Sequence, residues 1–225
     1  MEVTVVSIGT LAKNPLWDEK VPVRTSHATT TLIRSGKAAV LVDPSLPAAA
    51  LEARLFERTG LQPGAVTQVF LTNWRPVHRR GLPLFGKAQW VMGELEIANA
   101  RKVLEELRKR ADVPGGDADV MRLVEQELTL LSRVEPAKDD IAEGVDLYPL
   151  PGYTEGQCGL LVAETVRTTI IAGDAVPTAG HFLAGRVFED CFDVEKAKAS
   201  LGEMYEIADI VVPGHDNLFV TPRAG

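Results

Sequence analysis

Apolar and polar positions alternate in short blocks along the chain. VTVVSIG near the start is rich in β-branched residues and reads as a strand. After a polar loop with two prolines, ATTTLIR and AAVLVDP form two strand-like runs split by SGK, a hairpin signal. PAAALEARLFERTG has helical periodicity, with Pro47 near its start and Gly60 after its end. VTQVFLTN and AQWVMG are further strands. From Gly93 to about Ala111 the helical period returns and ends at VPGG. ADVMRLVEQELTLLSRV predicts a second helix, with Asp117 or Asp119 as its cap. VDLYPL, CGLLVAE and TTIIAGD are strands, VEKAKASLGEMYEIA is an amphipathic helix, and DIVVPGH is a short terminal strand. No Gly/Ser linker interrupts this order, which predicts one α/β domain over residues 1–225 with helices packed outside sheets.

Composition narrows the function. The chain is 45% hydrophobic, enough for a sizeable core, and its net charge of -7 argues against nucleic acid, which needs a cationic surface. The basic cluster RKVLEELRKR is interleaved with glutamates at helical spacing and reads as a solvated helix face. Cys158 and Cys191 form no CxxC and suit a reducing compartment, with a single long-range disulfide as the alternative. MEVTVVSIGT lacks the pattern of a signal peptide, and no apolar run reaches the roughly 18–20 residues of a membrane span. A soluble cytoplasmic protein without membrane partners is the expectation, and its oligomeric state is open.

Four stretches place polar residues just beyond the C-terminal end of a predicted strand: TNWRPVH (72–78), LPGYTEG (150–156), IAGDA (171–175) and VVPGH (211–215). Ends of neighbouring strands converge, so His78, Asp174 and His215 can build one site across long sequence separations. Taken singly, each has an ordinary reading: a polar loop histidine, a turn aspartate, a turn histidine. Trp74 reads as packing, Cys191 as an inert thiol. The absence of GxSxG argues against a serine hydrolase, and the glycines near Gly60 and Gly115 make no phosphate loop.

In this order and at these intervals, TNWRPVHRRGL, PGYTEG, AGDAV and VPGHD resemble the metallo-β-lactamase-fold hydrolase superfamily, as does LVDP at 41–44. The resemblance covers nearly the whole chain. It implies a four-layer αββα sandwich with a helical insertion near 93–134. It also implies that one family metal position is lost, because Asn73, Arg75 and Tyr153 stand where three histidines are expected. The second position keeps His78, Asp174 and His215, while Val77 replaces an aspartate. Two imidazoles and a carboxylate suffice for one catalytic metal, whether zinc, iron or manganese.

The resemblance thus implies a divergent metallo-hydrolase with at most one metal, whose activated water attacks an ester, thioester, lactone, amide or phosphoester. Loss of the aspartate at Val77 removes a ligand and a proton acceptor together. Arg75 either binds an anionic substrate group or ion-pairs with Asp174 and displaces the metal. The competing expectation is a non-catalytic pseudoenzyme or small-anion-binding protein, with Arg75 supplying the lost metal charge. In both, Asn73, Arg75, Tyr153, His27 and His181 are candidates to line the pocket. The two readings part on whether His78, Asp174 and His215 share a centre or Arg75 or Tyr153 is inserted there.

Overall fold

A computed structural model describes residues 1–113 and 116–222. Gly115 and part of the VPGG turn therefore lie outside the described residues. The first half builds a sheet from β1 (Glu2–Ser7), β2 (Thr30–Ser35), β3 (Ala38–Val42), β4 (Gln68–Leu71), β5 (Gln89–Met92) and β6 (Val134–Pro136), in that spatial order. The second sheet runs β12-β11-β10-β9-β8-β7, from β7 (Asp140–Ala142), β8 (Val145–Pro149), β9 (Cys158–Ala163), β10 (Thr168–Gly173), β11 (Ile210–Pro213) and β12 (Phe219–Val220). Helices α1 (Ala48–Thr59), α2 (Pro76–Arg79), α3 (Glu94–Ala111), α4 (Ala118–Leu131), α5 (Ala179–Leu183) and α6 (Val194–Ile207) complete the order.

Strand alternation assigns the layers. In β3, Val40 and Val42 face the other sheet while Leu41 faces the helices; in β4, Phe70 points inward and Val69 and Leu71 outward. The second sheet does the same, with Ile171 and Val212 inward and Ile170 and Val211 toward α6. Three buried clusters follow, one between the sheets and one under each helical layer, where Leu51 and Leu55 of α1 and Leu201 and Met204 of α6 pack. This is the αββα arrangement. It explains why the strands read as continuous apolar runs: both faces are buried.

Asp117, rather than Asp119, caps α4, its side chain accepting from the amides of Asp119 and Val120. Two short segments outside the elements expected from the sequence are helical turns. Pro76 starts α2, where its missing N–H costs nothing, and the Thr178 hydroxyl accepts from the His181 amide to start α5. Both cysteines are free thiols. Among the described residues no helix is long and apolar enough to cross a membrane.

Candidate metal centre

Parallel pairing brings the strand ends together. β3 and β4 align Val42 with Phe70, so Asp43 lies beside Leu71 and Thr72. Its carboxylate accepts from the Thr72 amide at 2.9 Å and the Thr72 hydroxyl at 2.7 Å. β10 and β11 align Gly173 with Pro213, which sets Asp174 beside His215. The approach is so close that a Cβ on Gly214 would lie 2.7 Å from Asp174 Oδ1. Gly173 is in the left-handed region at φ 53° and presses against Thr72, joining the two sheets at this point.

His78, on the single turn of α2, is fully buried between two carboxylates. Its Nδ1 is 2.9 Å from Asp43 Oδ2 and its Nε2 is 2.8 Å from Asp174 Oδ2. His215 Nδ1 lies 3.0 Å from the His27 carbonyl and 3.2 Å from the Thr10 carbonyl, so that nitrogen carries the proton. Its Nε2 then presents a lone pair 3.0 Å from Asp174 Oδ1, a buried oxygen with no hydrogen-bond donor. Two acceptors this close require a cation or a proton between them. One ligand atom from each of His78, Asp174 and His215 lies within 4.8 Å of the others. Both Nδ1 atoms are engaged from behind, the arrangement that fixes the tautomer of a metal-ligating histidine. The residues present fit a divalent ion.

Charge in the metal-free network is coupled. Burial opposes protonation of His78, but the carboxylates of Asp174 and Asp43 outweigh it and push the imidazole up to about 10. Burial likewise opposes the Asp174 carboxylate, yet the charge of His78, joined by His215 when a proton sits on its Nε2, holds it well below the usual carboxylate range.

The remaining candidates take varied positions. Asn73 is buried; its Oδ1 accepts from the Arg75 amide at 3.0 Å, so its Nδ2 donates to Asp174 Oδ2 at 3.1 Å. It offers a donor at this place, not a ligand. Arg75 does not pair with Asp174. Its guanidinium lies 4.3 Å from the Tyr153 ring centroid and 3.8 Å from Asp190. Tyr153 packs on Phe188 at 4.9 Å, and burial together with Asp174 drives its hydroxyl well above the ordinary phenol value. Phe188 also lies 6.3 Å from His215 and 6.0 Å from His181, roofing the site. The His181 ring is bonded to the Thr178 hydroxyl at 2.8 Å, and burial lowers its pKa. His27 contributes its carbonyl; its ring is turned to the Ile8 carbonyl at 3.0 Å.

Beside this centre, Trp74, Arg75 and Tyr153 border a cavity of about 830 Å³ against α3 and α4. Buried Glu96 of α3 ties its floor together, accepting from the Trp74 amide at 3.2 Å and the Thr154 hydroxyl at 2.6 Å.

The family model described as the Metallo-beta-lactamase superfamily matches residues 23–215. The chain belongs to this superfamily. "Metallo-beta-lactamase domain-containing protein 1" of Xenopus laevis is 25% identical over 172 residues, which span 75% of this chain and 62% of that protein. A Thermotoga maritima protein classed with the metallo-beta-lactamases superposes with a TM-score of 0.69 at 18% identity, covering 97% of this chain and 98% of the other. The dizinc quorum-quenching lactonase AidC, solved with the product N-hexanoyl-L-homoserine, superposes at 0.68 with 13% identity, over 88% and 76% of the two chains. At such identities the structural likeness speaks for the fold.

Asp43 was not among the candidate site residues, although LVDP had been linked to the superfamily. Its signal is the backbone: φ is 49°, one of two positive values at non-glycine positions among the described residues. Glu96 and Asn99 on the insertion gave no sequence signal beyond polar positions on a helix.

Proposed function

We propose that this chain is a hydrolase working with one divalent ion held by His78, Asp174 and His215. The observation that carries the reading is the facing of the His215 Nε2 lone pair and the donorless Asp174 Oδ1, 3.0 Å apart in a buried site. When bound, the ion supplies Lewis acidity and a hydroxide nucleophile at neutral pH. Asp43 and the His27 carbonyl orient the two imidazoles. Burial of His78, Asp174 and His215 keeps bulk water out, strengthening electrostatic contacts inside. Burial keeps the Tyr153 hydroxyl protonated, so it is available as a donor to a substrate. Asn73 donates to Asp174, leaving one position where the superfamily resemblance expects two.

A second reading has its own support. His78 sits between Asp43 and Asp174 as an imidazolium, and a proton between His215 Nε2 and Asp174 Oδ1 would complete the network without any metal. That is the pseudoenzyme form.

Elemental analysis of protein purified without tag or chelator separates them, with the His78→Ala, His215→Ala double variant as control. About one equivalent of zinc, iron or manganese, lost in the variant, supports the hydrolase and directs a screen of esters, lactones, thioesters, amides and phosphoesters. No metal, even after loading with each ion, leaves the proton network.

A further inference from the structure

We infer that Glu127 of α4 is a positioning residue for His78, acting through Arg79: it fixes the single helical turn on which that imidazole rides. The inference rests on the hydrolase reading only for its consequence, that the ring is set where an ion needs it.

The turn cannot hold itself. α2 spans only Pro76–Arg79, far below the roughly 12–15 residues at which an isolated helix becomes even marginal. No side chain caps its start at Arg75. Its position therefore comes from its surroundings. Toward the first sheet, the Ala28 amide donates to the Val77 carbonyl at 3.1 Å and the Gly81 amide to the Pro44 carbonyl at 2.8 Å. Toward α3 and α4, Pro76 borders the cavity, and polar contacts reach the turn beside it. Trp74, which leads into the turn, is gripped at both ends of its backbone. Glu96 of α3 accepts from its N–H at 3.2 Å, and Arg79 Nε donates to its C=O at 2.8 Å.

Glu127 completes that grip. The Arg79 guanidinium lies over the Trp74 ring at 3.9 Å, and both its terminal nitrogens donate to the Glu127 carboxylate, one of them at 3.2 Å. This fork-on-fork pairing fixes direction as well as distance. Arg79 is buried, which disfavours its charge, and Glu127 offsets that cost. Arg79 is also the residue that follows His78 on the turn. Holding its side chain against Trp74 and Glu127 holds the backbone that aims the His78 ring between Asp43 and Asp174. The contact thus runs from the insertion to the candidate ligand through one neighbouring residue.

The test compares Glu127→Ala, Glu127→Gln and Asp117→Ala with the wild type. Glu127→Gln removes the same charge but keeps an acceptor for Arg79, and Asp117→Ala loosens α4 without touching the contact. In EDTA-treated protein the ring C–H resonances of the histidines are followed by NMR, with His78→Gln assigning those of His78. Glu127→Ala should move the His78 resonances and leave those of His27 in place, while the other two variants stay close to the wild type. Zinc affinity, by competition with a chromophoric chelator, should fall about three- to tenfold in Glu127→Ala, less than the about 10- to 100-fold typical of a direct partner of a ligand. Unmoved His78 resonances in Glu127→Ala overturn the inference, as does an unchanged affinity where the wild type binds zinc. So does an equal effect of Glu127→Gln, which would make charge the cause, or of Asp117→Ala, which would make it a general loosening. No zinc uptake by the wild type would sink the hydrolase, and the ring resonances would still decide the inference.

Discussion

Asp43 holds a left-handed backbone and directs its carboxylate at Thr72 and at His78 Nδ1. Asparagine tolerates the same backbone region, so Asp43→Asn removes the charge without adding strain. If His78 is a ligand, this variant should lose about 10- to 100-fold in zinc affinity, measured by competition with a chromophoric chelator. An unchanged affinity would make Asp43 a brace for Thr72 only. Gly214→Ala acts from the other strand. Its Cβ would lie 2.7 Å from Asp174 Oδ1 and 2.9 Å from the Gly173 backbone, so one of them must move. A stability loss of roughly 1–3 kcal/mol by urea titration, with metal content reduced, is the expected outcome. At this scale the sequence was only partly legible. His78, Asp174 and His215 stood out through their ordered motifs. Asp43, followed by a proline, looks like any turn aspartate until strand register places it against Thr72.

The elements were legible where burial decides them. β3, β4, β10 and β11 are covered on both faces, and their apolar runs announced it. β6, β7 and β12 are only two or three residues long and exist through pairing with a neighbour, which no local pattern encodes. Phe70 tests the two-sided burial: it fills the space between the sheets from the middle of a four-residue strand. Phe70→Ala should destabilise by about 3–5 kcal/mol, read from urea midpoints. Asp117→Ala, which removes the cap of α4, should cost about 1 kcal/mol by the same measurement. That Asn99 Nδ2 and Trp74 Nε1 are buried without a partner was not legible either, since whether a donor is paired depends on tertiary neighbours alone.

At the scale of the molecule, His78 follows β4, an interior strand of the first sheet, and Asp174 and His215 follow β10 and β11 of the second, so an ion bound to all three would tie the two sheets together. Metal at 100 times its Kd should add about 2.7 kcal/mol to stability and raise Tm by roughly 5–11 °C over EDTA-treated protein. The pH dependence has a defined sign. The His78 pKa is raised from 6.5 to about 10, so its contribution to metal-free stability is complete below 6.5 and lost as pH rises through about 10. Asp174 is shifted the opposite way, so its contribution is present above the ordinary value of 3.8 and lost as pH falls. The ion competes with the His78 proton at Nε2. Between pH 7 and 9 its affinity should therefore rise at least about tenfold per pH unit, with at least about one proton released per ion bound. Calorimetry in buffers of different ionisation enthalpy measures that proton. A flat affinity with no release would mean that His78 is already neutral in the metal-free protein, and the imidazolium network would be the wrong description of its resting state.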